Sequence, residues 1–239
     1  MAKQRISRAA TKIHKWLALI VGIQILFWFA SGLFMVHFPI GEVRGEDRMR
    51  NRPPDLFAPA AMSQQLAEAL PDGLPSASRM EVRRVLGRPY LLIERPEARP
   101  LLVDLDAGHV ASPISAPLAA EIARADYSGD AALRRVSLVE TESTEYRGTL
   151  PAWRVDFADD RDTSLYVAAD LAKVTARRTD LWRTFDFFWG LHIMDWKGRE
   201  NFNTWWLWLA TALALVGVIA GLIMLPRSFG LLKKRGTSS

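Results

Sequence analysis

"WLALIVGIQILFWFASGLFMVHF", residues 16 to 38, runs for 23 residues without a formal charge, and its polar side chains are Gln24, Ser31 and His37. At about 1.5 Å rise per residue a helix of that length measures about 35 Å, against a hydrocarbon core of about 30 Å. The run is long enough to cross a bilayer. It exceeds the apolar region of a secretory signal, which holds roughly 7 to 15 residues, and so reads as an uncleaved anchor. A second run, Trp205 to Leu225, has 21 residues with Thr211 its one polar side chain, and the same arithmetic makes it a second crossing.

The flanks set the orientation. Residues 1–15 carry Lys3, Arg5, Arg8, Lys12 and Lys15 without an acid, and the tail after Leu225 carries Arg227, Lys233, Lys234 and Arg235, again without an acid. Both termini are expected in the cytoplasm by the bias of basic residues toward that side. Without those nine, 22 Lys and Arg face 26 Asp and Glu, so the formal charge of +5 becomes −4. The basic balance therefore reports topology, and no nucleic-acid partner is expected. The 166 residues from Pro39 to Thr204 are then expected outside, in the periplasm of a bacterial cell. The absence of cysteine suits that compartment, and it excludes disulfides, zinc–thiolate sites and covalent c-type haem attachment.

A repeat organises this outer region. "LLVDLDAGHV" (101–110) and "LYVAADLAKV" (165–174) share Leu101/Leu165, Val103/Val167, Asp106/Asp170 and Val110/Val174 at an offset of 64. Each reads as strand, tight turn at the Asp, strand. Upstream lie further alternating runs, "RPYLLIE" from Arg88 and "PAWRVDF" from Pro151, then "VRRVL" (82–86) and "LRRVSL" (133–138). Before those come two short helical patterns, "AAMSQQLAEAL" and "APLAAEIARA". The unit is a helix followed by about four strand segments, used twice, with an insertion at Glu140 to Thr149 in the second copy. A helix across each antiparallel sheet is expected to bury Val82, Leu92, Leu101 and Val103 in one copy and Val136, Val155, Leu165 and Val167 in the other. The fold class is α+β: two transmembrane helices flanking a pair of helix-plus-antiparallel-sheet repeats.

The paired repeats resemble PepSY domains, and the flanks look like PepSY-associated transmembrane proteins, on "HKWLALIVGIQ" (14–24), "SGLFMVHFPIGEVRGED" (31–47) and "LHIMDWKGRENFN" (191–203). The resemblance covers nearly the whole chain, and its transmembrane motifs are more specific than its repeats. It implies an inner-membrane protein divided into a cytoplasmic basic N-terminus (1–15), a first span (16–38), a periplasmic tandem PepSY-like domain (39–178), an aromatic interfacial segment (179–204), a second span (205–225) and a cytoplasmic basic tail (226–239). Larger relatives with four or more spans include b-haem proteins that act as ferric-siderophore reductases, and other PepSY proteins bind or inhibit peptidases. With two spans, any full electron pathway here requires dimerisation or a partner subunit.

The haem expectation turns on histidine, the remaining strong nitrogen ligand, present as His14, His37, His109 and His192. His14 and His37 are 23 residues apart, about 35 Å along a helix, whereas two axial ligands of one haem sit about 4 Å apart. His37 and His192 close the first span and precede the second on the same side, so they are the candidate pair for a b-type haem. His14 would need a ligand from another chain. If 179–196 is helical, Trp182, Phe185, Phe188, Trp189, His192 and Trp196 form one stripe, suited to a haem edge or equally to an aromatic belt at the headgroups. His109, beside Gly108 in the first hairpin, reads as a surface side chain. Gly217 and Gly221 form a GxxxG in the second run, near Ala210, Thr211 and Ala214, and Gln24 and Ser31 share a face that could hydrogen-bond a neighbouring helix. The acidic clusters Glu140 to Glu145 and Asp156 to Asp162 have the composition of solvated loops.

No nucleophile stands at motif spacing from a base, and there is no phosphate-binding glycine loop or metalloprotease signature. Enzymatic activity, if any, is that of an electron-transfer or reductase component, in which the cofactor supplies the chemistry. Two readings stand side by side. One is a b-haem membrane protein serving iron reduction or a respiratory partner. The other is a haem-free accessory or regulatory subunit whose repeats bind a peptide or protein. Both sit in the lipid bilayer, as a homodimer or within a larger membrane complex.

Overall fold

The computed structural model describes residues 2–50 and 75–228, with side chains at 16, 18–50 and 75–219. The chain divides into two compact units, one of Met1–His37 with Phe185–Ser239 and one of Phe38–Thr184. They are called here the helical unit and the sheet unit.

In the helical unit α1 is unbroken over Ala2–His37. It stops two residues before Pro39, because the ring of a proline disfavours helical backbone in the residue preceding it. Among the described residues α1 is the one helix long and apolar enough to cross a membrane, over Ala18–His37. The last helix of the chain, Trp205–Ser228, packs against α1, and the apolar part of it that is described, Trp205–Ile219, is shorter.

The sheet unit is α+β. After a short helix α2 (Ile40–Val43) come two four-stranded antiparallel meanders, each with its strands in sequence order. The first contains β1 (Arg79–Val85), β2 (Arg88–Arg95), β3 (Ala98–Asp104) and β4 (His109–Val110). Helix α3 (Ala116–Asp126) leads to the second, β5 (Leu133–Val139), β6 (Ala152–Phe157), β7 (Ser164–Ala168) and β8 (Lys173–Arg178). Helices α4 (Asp180–His192) and α5 (Trp205–Ser228) complete the chain. The β1–β2 connection is the two-residue turn Leu86–Gly87 with φ of 52° and 85°, the backbone hand that matches the twist of a hairpin.

The hairpins at 101–110 and 165–174 carry the same strand, four-residue turn and strand, with Asp106 and Asp170 both in the turns. Gly108 and Ala172, equivalent at the 64-residue offset, both take left-handed backbone, φ 64° and 46°. The helical pattern "AAMSQQLAEAL" lies outside the described residues, so a helix in the first copy is not described. In the second copy α3 packs across β5 to β8.

One core joins the two sheets. Tyr90, Leu92 and Leu102 from the first meet Val155, Phe157, Leu165 and Val167 from the second, with Ala119, Ile122 and Ala123 of α3 among them. Leu92 therefore departs from the expected grouping. Its ladder partners are Glu81 and Leu102, whereas Val82 pairs Leu91 and Leu91 pairs Val103, so strict alternation places Leu92 on the opposite face from Val82, Leu101 and Val103. Those three belong to a second cluster with Leu91 and Ile93. The first sheet buries side chains on both faces, which is why β2 reads as the continuous run Tyr90-Leu91-Leu92-Ile93.

Candidate functional site

The His192 imidazole sits against α1. Its Nδ1 is 3.0 Å from Ser31 Oγ, and the Ser31 hydroxyl donates to the carbonyl of Phe27 at 2.6 Å. The Ser31 hydroxyl donates to carbonyls of its own helix, which leaves Ser31 Oγ as an acceptor for the Nδ1–H tautomer of His192, the tautomer in which Nε2 is an acceptor. Ser31 is fully buried, and this bond gives a polar residue in an apolar run its partner from another helix. Gly32 brings the backbone close: a Cβ there would lie 3.7 Å from His192 Cε1. Phe34 and Phe188 stack beside this contact, with centroids 4.2 Å apart.

His192 also edges an apolar groove of about 800 Å³ between α1 and α5. Trp28, Phe29, Gly32 and Val36 line one wall and Ala214 and Val218 the other, with Thr211 the second polar side chain. Nearer the start of both helices Gln24 lines a separate apolar pocket with Trp28, Met194 and Trp206, so α1 and α5 run parallel along their contact.

α4 ends at His192, four residues short of where the aromatic spacing would carry it, and Trp196 lies past the helix in a bend. The reason is a Schellman closure: Asp195 N–H donates to Gly190 O at 3.1 Å and Met194 N–H to Leu191 O at 3.4 Å, with Met194 at φ 56°. The "DWKGREN" loop then folds around the Asp195 carboxylate, which accepts the backbone N–H groups of Gly198, Glu200 and Asn201 at 3.0, 3.1 and 3.0 Å. Those backbone donors hold the Asp195 carboxyl below the usual carboxylate range. Arg199 pairs with Asp186, Trp189 Nε1 donates to Arg199 O at 3.0 Å, and Trp206 Nε1 donates to Met194 O at 2.9 Å. The loop that carries the chain from His192 into α5 is thus held on both flanks.

His37 closes α1 six residues beyond Ser31, about 9 Å farther along the axis and about 120° around it. The structure seats His192 on the Ser31 face; His37 belongs to a different face of the same helix end. His14 is in α1, but its side chain lies outside the described ones. His109 is exposed at the start of β4. Gly217 lies within α5, and the side-chain region of Gly221 is outside that described.

In the sheet unit Glu145, Asp156 and Asp162 of the two clusters are paired with arginines. Glu145 pairs with Arg154 at 2.9 Å and with Arg183 of α4, and accepts the Tyr166 hydroxyl at 2.9 Å. Asp156 takes Arg154 at 2.7 Å and Arg135 at 2.9 Å. Burial pushes both carboxyls up, but the hydrogen bonds and charges of these partners outweigh it, and both are held below their ordinary values. Burial and the Asp159 carboxylate together push the Tyr127 hydroxyl up to about 12. No group of three or more His, Asp or Glu among the described residues is arranged to hold a metal ion. Sequence reasoning missed this network because most partners come from different elements, up to 38 residues apart for Glu145 and Arg183.

An α+β chain with an apolar N-terminal helix and aromatic-rich helical segments has the features of a membrane-associated protein. The chain belongs to the family described as the PepSY-associated TM region, whose model matches residues 11–239. No curated protein and no solved structure matches it.

Proposed function

We propose that this protein is a two-span membrane subunit that carries its tandem PepSY-like sheet unit on the periplasmic side and works within a complex, as a homodimer or with another membrane protein. The observation that carries this reading is the inverted polarity of the helical unit. Val36, Phe29, Leu33 and Trp208 are 74 to 85% exposed while Ser31 is fully buried, an arrangement stable in hydrocarbon and costly in water. α5 is 24 residues, about 36 Å, and supplies the second crossing. The charge bias alone supports cytoplasmic termini, since basic residues flank both helices, while the side-by-side pairing of α1 and α5 runs parallel and argues the other way. A reporter fused at Gly148 tests this topology: periplasmic activity is expected, and a cytoplasmic signal overturns it.

A second reading has its own support in His192. A histidine whose Nδ1–H is held by a hydrogen bond presents a fixed Nε2, the arrangement of an imidazole ligand to a metal. His192 would hold one face of a b-type haem at the groove, and the second axial imidazole would come from a second copy or a partner, since His37 lies on another face of α1. A haem there would supply one-electron transfer, with Trp28 and Phe29 excluding water. Protein from haem-replete cells should then show a Soret band that His192→Ala abolishes; no band removes this reading and leaves the haem-free subunit.

A further inference from the structure

The groove beside His192 is apolar and lies between α1 and α5, with His192 and Thr211 its polar side chains. The Ser31 hydroxyl donates to the Phe27 carbonyl, so Ser31 Oγ accepts from the Nδ1–H tautomer of His192, and in that tautomer Nε2 is an acceptor. A ligand that satisfies this site needs an apolar body and one O–H donor. Trp28 and Phe29 on the α1 wall offer faces for a flat ring. The volume of about 800 Å³ lies within the range of small-molecule sites, which are mostly apolar with a few placed polar groups.

We propose that this groove binds a lipid-soluble quinol, with the quinol hydroxyl donating to His192 Nε2 and the isoprenoid tail running between α1 and α5. The relay also sets oxidation-state selectivity. A quinone presents carbonyl acceptors, which cannot bond to an acceptor nitrogen, so the reduced form binds more tightly. Ser31 is a positioning residue: it never touches the ligand, yet it decides which ring nitrogen carries the proton. This inference rests on the membrane reading above and is an alternative to haem, because both would occupy His192 Nε2 at the same groove.

The test uses the full chain, purified without added haem, in phospholipid nanodiscs. Decyl-ubiquinol and decyl-ubiquinone are titrated under argon against tryptophan fluorescence, with empty nanodiscs as the partition control. Saturable quenching by the quinol is expected, about tenfold tighter than by the quinone, the size of one hydrogen bond gained against one lost. His192→Ala should abolish the saturable component. Ser31→Ala should level or reverse the preference, because the freed imidazole can place its proton on Nε2 and donate to a quinone carbonyl. Non-saturable partition, or equal affinity for both oxidation states that His192→Ala leaves unchanged, overturns the proposal. Failure of the membrane reading shows separately, as release of the protein from native membranes at alkaline pH.

Discussion

The two units bury opposite things. In the sheet unit Val155, Phe157 and Val167 are fully enclosed, and Arg79, Arg134 and Arg135 hold their acidic partners from the surface. In the helical unit the large apolar side chains of α1 and α5 lie outside, and a serine hydroxyl hydrogen-bonded to an imidazole lies inside. Of the nine tryptophans seven belong to the helical unit, and only Trp153 and Trp182 to the sheet unit. That distribution is the one expected when one unit meets lipid and headgroups and the other meets water. Each unit follows the same rule, that polar groups are satisfied and apolar surface faces the less polar neighbour, and the neighbour differs.

The largest effect that separates them is on the stability of the sheet unit. Glu145→Ala leaves Arg154, Arg183 and the Tyr166 hydroxyl without their shared partner, and is expected to cost about 3 kcal/mol. Urea denaturation followed by near-ultraviolet circular dichroism reads it, and His192→Ala in the helical unit should leave that transition in place.

The next effect is in pH. Glu145, Asp156 and Asp159 have carboxyls held below their ordinary values in the folded state, so their contribution to stability is full above about pH 5 and is lost as pH falls through the depressed folded values. The melting temperature of the sheet unit should be flat from pH 7 to about pH 5 and fall below about pH 4, and Glu145→Gln should make that fall shallower. A melting temperature that rises on acidification contradicts the assignment of these groups.

A smaller effect separates the two hairpins. Gly108 and Ala172 share left-handed backbone, but a Cβ at Gly108 meets nothing within 4 Å, whereas the Ala172 methyl is buried in the core. Gly108→Ala is therefore expected to cost about 1 kcal/mol, with no packing gained in return. A neutral result in thermal melting would mean that the first turn relaxes in a way the second cannot.

Much of this was legible in the sequence, for reasons particular residues make plain. The charge-free run from Trp16 to Phe38 is long enough to cross a bilayer, and the alternation around Asp106 and Asp170 leaves hairpins as the simplest reading. Ser31 stood out as a polar side chain in an apolar helix that needed a partner. Its partner His192 is 161 residues away, and no periodicity connects them. The end of α4 was hidden because Met194 takes the left-handed position where a glycine would have announced a stop. The grouping of Leu92 failed because a strand buried on both faces carries no alternation to read. Glu140 and Glu142 are exposed as their composition suggested, whereas Glu145 was hidden because its partners Arg154 and Arg183 come from β6 and α4.

Site-directed spin labelling tests the central claim most directly, because the chain has no native cysteine to compete with the label. Labels at Phe29→Cys in α1, Trp208→Cys in α5 and Leu138→Cys in β5 compare three exposed apolar positions, 75, 74 and 44% accessible. In liposomes the first two should collide with oxygen and be shielded from a water-soluble nickel chelate, while Leu138→Cys shows the reverse. Nickel accessibility at Phe29 and Trp208 equal to that at Leu138 would contradict the account.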